Sequence, residues 1–211
     1  MKARIAQLVL TVISLAFFTA CLNLGRSPAT RFYLLESKSG PALSLAREVE
    51  MHHVSIGIGP VAVPPYLDRP QMMTRMDGNE LRPNEFNQWA EPLMTNISRV
   101  MGANLSLLTE AGNIHSYPWK RSAVIDFQIT LDVLQFEVDS GGRVTLKGVW
   151  RIFDPDNHQL LMERRSTITQ TSAGVGVEPV VETMDMVLAE LSIEMAEALI
   201  EVSRGVTGAR P

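Results

Sequence analysis

Ile125-Asp126-Phe127-Gln128-Ile129-Thr130-Leu131-Asp132-Val133-Leu134-Gln135-Phe136-Glu137-Val138 is the stretch on which the fold turns. From Ile125 to Val133 every odd position is apolar, and the even positions are Asp126, Gln128, Thr130 and Asp132. Successive side chains of a strand point to opposite faces, so this pattern describes one long strand with a single buried face. The phase then flips, and Leu134, Phe136 and Val138 become the apolar set. A slip of one residue would turn every later side chain to the wrong face. An extra residue near Val133-Leu134, a β-bulge, absorbs the slip.

Reading toward the C-terminus, Asp139-Ser140-Gly141-Gly142 is a hairpin turn, and Val144, Leu146, Gly148, Trp150 and Ile152 mark the return strand. Asp154-Pro155-Asp156-Asn157 turns again into a third strand, Gln159 to Thr169. Ser172 to Val177 is a loop of small residues. A long helix follows from about Pro179 to Val202, with Val180, Met184, Val187, Leu188, Leu191, Met195, Ala198, Leu199 and Val202 as a wide apolar stripe.

Reading toward the N-terminus, Gly112 to Arg121 is a loop carrying Tyr117-Pro118-Trp119, and Leu105 to Leu108 is a short strand. Trp89, Leu93 and Ile97 are spaced by four, and Val100 and Met101 extend the same helical face. Pro92 fits only the first turn, so this helix is predicted to start between Gln88 and Glu91, and Gly102 is its expected stop. Asp77-Gly78 between Gln71–Met76 and Asn79–Arg82 signals a hairpin. Val54 to Ile58 is a strand that runs into Gly59 to Pro65, whose prolines belong at a sheet edge or outside the sheet. Arg31 to Leu35 is a first strand, and Ser37 to Met51 a loop with room for a helical turn. The class is α+β (mixed α/β): a mostly antiparallel sheet with two main helices on one face. The order of elements also permits a split arrangement around one sheet. Residues 31–204 are expected to form a single domain, and 205–211 a frayed tail.

The start of the chain has a different character. Lys2 and Arg4 precede an apolar run of 16 residues, Ile5 to Ala20, and Cys21, the single cysteine, follows directly. A basic start, a short apolar core and a small residue at the cut describe a secretory signal. The run is shorter than the roughly 20 residues a spanning helix needs. Phe18-Thr19-Ala20-Cys21 resembles a bacterial lipobox. That resemblance implies removal of residues 1–20, lipidation of Cys21 with palmitate-type acyl chains, and a tether over 21–30. Leu22 stands where a retained lipoprotein would carry aspartate, so the expected location is the outer membrane, lipid-anchored and facing the periplasm. Three acyl chains exceed the two signals that stable anchoring requires.

The composition excludes several classes. The formal charge is −4, and −6 once the signal, with its two cations, is removed. No basic stripe exists to meet phosphates, so nucleic acid is not an expected partner. No second cysteine offers a disulfide, so stability must come from the core. His52, His53, His115 and His158 lack the spacing of a metal motif. Asp154 to Asn157 departs from a calcium loop, with Gln159 at its sixth position and Arg165 at its twelfth. Gly57-Ile58-Gly59-Pro60 lacks the third glycine of a dinucleotide loop, and no Gly-x-Ser-x-Gly elbow occurs. Asp126 and Asp132 belong to a solvated strand face. No catalytic residue, metal or cofactor is expected.

Two aromatic clusters remain: Tyr66-Leu67-Asp68-Arg69-Pro70-Gln71 in a proline-bounded loop, and Trp89-Ala90-Glu91-Pro92-Leu93. With Phe32-Tyr33-Leu34, Gly57-Ile58-Gly59-Pro60-Val61, Pro118-Trp119 and Trp150, this ordered set resembles the ABC-type transport auxiliary lipoproteins, partners of paraquat-inducible and mammalian-cell-entry (MCE) type transporters. The resemblance implies a non-enzymatic outer-membrane component of a system that moves lipids between membranes. The implied partners are the membrane through acylated Cys21 and MCE-type transporter subunits, and the reading also admits a homo-oligomer. A stand-alone periplasmic binder of lipid or another hydrophobic ligand is the alternative. Tyr66, Leu67, Asp68, Arg69 and Gln71 are the candidate partner interface. Prolines restrict this loop, and Tyr and Arg are enriched at hot spots. In the competing account Tyr66 and Leu67 fill the core, and Asp68-Arg69 pin the loop.

Overall fold

The computed structural model describes residues 28–38 and 51–207. The signal segment, Cys21, the tether before Pro28, most of the 37–51 loop and the last four residues lie outside them. Among the described residues eight strands form one mixed sheet: β1 (Arg31–Tyr33), β2 (Ser55–Ala62), β3 (Gln71–Arg75), β4 (Leu81–Trp89), β5 (Asn113–Ser116), β6 (Phe127–Asp139), β7 (Arg143–Asp154) and β8 (Gln159–Thr171). Helices α1 (Leu93–Thr109) and α2 (Val177–Thr207) pack on each other and on the sheet. None of the described helices is long and apolar enough to cross a membrane.

β6 organises the sheet. On one side it pairs antiparallel with β7, which pairs with β8, forming the meander read from the sequence. Its other edge is shared by two parallel partners. β2 pairs along Phe127–Asp132, and β3 along Val138–Asp139. β5 extends the first branch, and β4 and β1 extend the second, so the sheet is forked.

The bulge lies where the phase flip requires it. Val133 faces Gly148 and Gln135 faces Lys147, so Leu134 is the extra residue. The consequence differs in one detail from the sequence pattern. Leu134 is turned out and half-exposed, while Phe136 resumes the core face. Glu137 therefore points to the face opposite the core, and yet it is buried.

Several local expectations are corrected. Trp89 does not open a helix; it ends β4, and its N–H is bound to the Pro70 carbonyl at 2.7 Å. α1 begins at Leu93, because Pro92, at ψ 131°, is not helical. Gly102 does not stop the helix. It is buried where a Cβ would come within 3.3 Å of Ile114 Cγ2. Leu105–Leu108 is therefore helix, not strand: Leu105 and Leu108 are buried with Leu93, Ile97, Val100 and Met101, and Leu107 is exposed. The actual stop is Glu110, left-handed at φ 53°, with its N–H on Ser106 O. Pro60 lies inside a strand that has neighbours on both sides. It is accommodated by a register shift between Ile58 and Val61, so no ladder bond is asked of its missing N–H. The loop after Gly112 contains a short strand, β5, which has one partly buried apolar residue, Ile114, and so no periodicity to read. The Asp77-Gly78 and Asp139–Gly142 hairpins and the long C-terminal helix stand as expected.

Candidate docking surface

Residues 63–70 carry the chain from β2 to β3, both on the same edge of β6, and so bridge the fork. The bridge is tied down in three ways. Leu67 is buried in the core. Leu67 N–H bonds to Pro64 O, and Arg69 N–H to Leu67 O, each at 2.9 Å. Tyr66 Oη donates to Glu137 Oε2 at 2.7 Å.

Glu137 is 2% exposed, and its other oxygen, Oε1, receives Arg75 Nε and Nη2, both at 2.7 Å. A buried carboxylate is tolerable only when it is paired and hydrogen-bonded. Burial first, and then the hydrogen bond to this carboxylate, push the Tyr66 phenol well above its ordinary range. It remains a neutral donor. The bond to Glu137 likewise raises Arg75, which stays charged.

The five residues read as an interface are thus divided. Tyr66 and Leu67 are turned inward, and Gln71 is half-buried at the start of β3. Asp68 and Arg69 are exposed and form no ion pair with each other or with another described residue. They meet the second cluster: Asp68, Arg69 and Pro70 face Ala90, Glu91 and Pro92 around a recess of about 250 Å3 floored by Trp89. Its far wall is fixed, since Arg99 donates to Glu91 Oε1 at 3.0–3.1 Å, to Asn96 Oδ1 at 2.8 Å and to Leu35 O at 3.0 Å.

A second recess has no counterpart in the sequence reading. A cleft of about 600 Å3 opens between β3, the β6–β7 turn and residues 172–176. Met72, Met73, Trp89, Phe136 and Met184 form its floor. Asp139 at the rim is engaged, accepting the N–H groups of Gly141 and Arg143 at 2.9 Å and the Arg143 side chain at 3.2 Å. Both turns were legible as turns, but nothing in their spacing says that they face each other.

Among the described residues no group of three His, Cys, Asp or Glu side chains could hold a metal. His52 sits at the surface with its Nδ1 at 3.1 Å from Glu110 O. Asp132 pairs with Arg151, and Asp126 accepts from Ser55 N–H at 2.8 Å, as suits a solvated face.

A forked sheet backed by two helices, with surface recesses and ion pairs that tie down loops, defines an α+β module. The chain belongs to the family of ABC-type transport auxiliary lipoprotein components, whose model matches residues 33–196. Two solved structures are similar. One is an uncharacterized protein at 20% identity, covering 82% of this chain and 99% of that one with a TM-score of 0.66. The other is protein XCC0632 from Xanthomonas campestris at 13% identity, covering 85% and 100% with a TM-score of 0.73. At these identities the likeness is one of fold. No curated protein matches the chain.

Proposed function

We propose that this chain is the outer-membrane docking component of an envelope-spanning ABC/MCE-type lipid transport system, non-enzymatic, held by acylated Cys21 and facing the periplasm. One observation carries the reading. Two segments about 20 residues apart in sequence, Asp68–Pro70 and Ala90–Pro92, build one exposed recess whose walls are fixed from behind. Ordered walls lose little freedom on association, which favours a contact surface. Family membership implies transporter subunits as partners. Hydrolysis of ATP then belongs to another subunit.

Affinity purification of the lipidated chain from envelopes, with Arg69→Glu beside the wild type, tests the proposal. The wild type is expected to recover transporter subunits, and Arg69→Glu to lose them with an unchanged melting temperature. Retention by Arg69→Glu removes the recess from the interface. Cys21→Ser is expected to abolish fatty-acid labelling and outer-membrane fractionation, and persistence of both would refute the anchor.

The cleft favours a second reading, a binder of hydrophobic ligands, since its volume falls within the range of small-molecule sites. Native mass spectrometry of the purified chain checks it. A co-purifying lipid lost from a Met73→Arg variant supports this reading, and a ligand-free mass for the wild type refutes it.

A further inference from the structure

The loop that carries the chain from β5 across β2 to β6 takes no part in the docking recess. We propose that this loop, Tyr117 to Val124, is a second membrane contact that seats in the headgroup layer of an anionic phospholipid leaflet.

Its course is fixed at both ends. Tyr117 N–H bonds to Ile58 O, and Asp126 N–H to Ser55 O, each at 2.9 Å. Ile56 and Ile58 are fully buried in the core, so Gly57 between them faces the other side of the sheet. The loop crosses on that side. A Cβ at Gly57 would lie 3.0 Å from both Trp119 Cζ3 and Ile125 Cγ2, and one at Gly59, where φ is +116°, 2.7 Å from Tyr117 Cβ. Two glycines thus let the loop lie flat on the strand. Trp119 is half-buried and meets Tyr117 edge-on, with ring centroids 5.4 Å apart. Ala123 N–H bonds to Lys120 O at 2.9 Å and closes the turn.

What this seat holds outward is a particular combination. Tyr117 is 55% exposed and Val124 75% exposed. Lys120 and Arg121 are exposed and make no ion pair with any described residue. The carboxylate that follows, Asp126, is occupied by Ser55 N–H. Tyr and Trp concentrate at the headgroup level, where an apolar ring and a polar tip are both satisfied. Each cation near an anionic leaflet strengthens binding by roughly fivefold at physiological ionic strength. An acidic protein would pair with the cations but would need a pocket for Tyr117 and Val124. A leaflet accommodates both and requires none.

The tryptophans provide the test. Trp150 is fully buried and Trp89 nearly so, at the bottom of a recess, so Trp119 is the most accessible of the three to bilayer quenchers. The lipidated chain is reconstituted into phosphatidylethanolamine–phosphatidylglycerol vesicles that contain tail-brominated lipid, and emission is read whether or not the chain floats with them. The expected result is loss of up to one third of the emission, weakened at high salt and in phosphatidylcholine vesicles. The double variant Lys120→Glu/Arg121→Glu and the variant Val124→Asp should each lose the quenching at an unchanged melting temperature. Unquenched wild-type emission overturns the proposal, as does quenching that all variants keep, since the lipid anchor alone would then explain it. Flotation reports the anchor and transporter recovery reports the recess, so failure of either is distinguishable from failure of the loop.

Discussion

Two loops that join strands of the sheet have sequences that are alike. One reads Tyr66-Leu67-Asp68-Arg69, the other Tyr117-Pro118-Trp119-Lys120-Arg121. In the first the tyrosine is drawn in, because a buried carboxylate, Glu137, waits beneath it and Leu67 has a place in the core. In the second the tyrosine stays largely in solvent, its Cβ seated over Gly59 and its hydroxyl bonded to no described residue. An aromatic residue in a loop is therefore not by itself an interface signal. The strand underneath decides.

The largest effect expected from breaking this contrast is at Arg75. Arg75→Ala leaves Glu137 buried without its cation, and should cost about 3 kcal/mol. That is the lower end for such a loss, since a third of the Arg75 side chain is in solvent. Denaturant unfolding checks it. A neutral Arg75→Ala would mean that the first loop is no better fixed than the second. Replacing Arg75 and Glu137 together with Met and Leu should recover most of the loss, because no charge is then stranded.

Next is the seat of the second loop. Gly57→Val places carbons where Trp119 and Ile125 already lie, and should cost roughly 2 kcal/mol through overpacking. A red-shifted Trp119 emission would accompany it. A stable variant with unchanged emission would show that the loop is not pressed on β2.

Tyr66→Phe is smaller, about 1.5 kcal/mol at pH 7, the contribution of one hydrogen bond to a charged acceptor. It also carries a pH signature. The folded phenol ionises well above 10.0, its value in the unfolded chain. Below pH 10 both states hold the proton, and the contribution is fully present. Above pH 10 the unfolded state releases it first, so stability falls by up to about 1.4 kcal/mol per pH unit. Between pH 9 and 11 the wild type should lose more stability than Tyr66→Phe, and parallel curves would exclude the buried donor role. The smallest effect is at Arg69. Arg69→Glu should change stability by less than about 0.5 kcal/mol, because the side chain is exposed and forms no ion pair with any described residue. A larger loss in thermal unfolding would assign Arg69 to fixing the loop.

Local patterning by itself determined the β6–β7–β8 meander, the bulge after Val133, the two hairpin turns and the stripe of α2, because each rests on neighbours within a few residues. It also read Trp89 as core, and Tyr66 to Gln71 as one exposed loop, of which Asp68 and Arg69 are exposed while Leu67 is buried. Where two local patterns competed, tertiary contacts chose. Trp89 is in phase with Leu93 and Ile97, but its N–H is claimed by Pro70 in a neighbouring segment, and β4 keeps it. Leu105 to Leu108 is too short to show a period, and packing against α2 and β2 makes it helix. The parallel pairings of β2 and β3 on one edge of β6, the burial of Glu137, and the meeting of Asp68–Pro70 with Ala90–Pro92 were decided by the tertiary structure alone. Each joins residues about 20 to 70 positions apart, and side-chain periodicity carries information only along a strand or helix, not across the chain closure that brings two of them together.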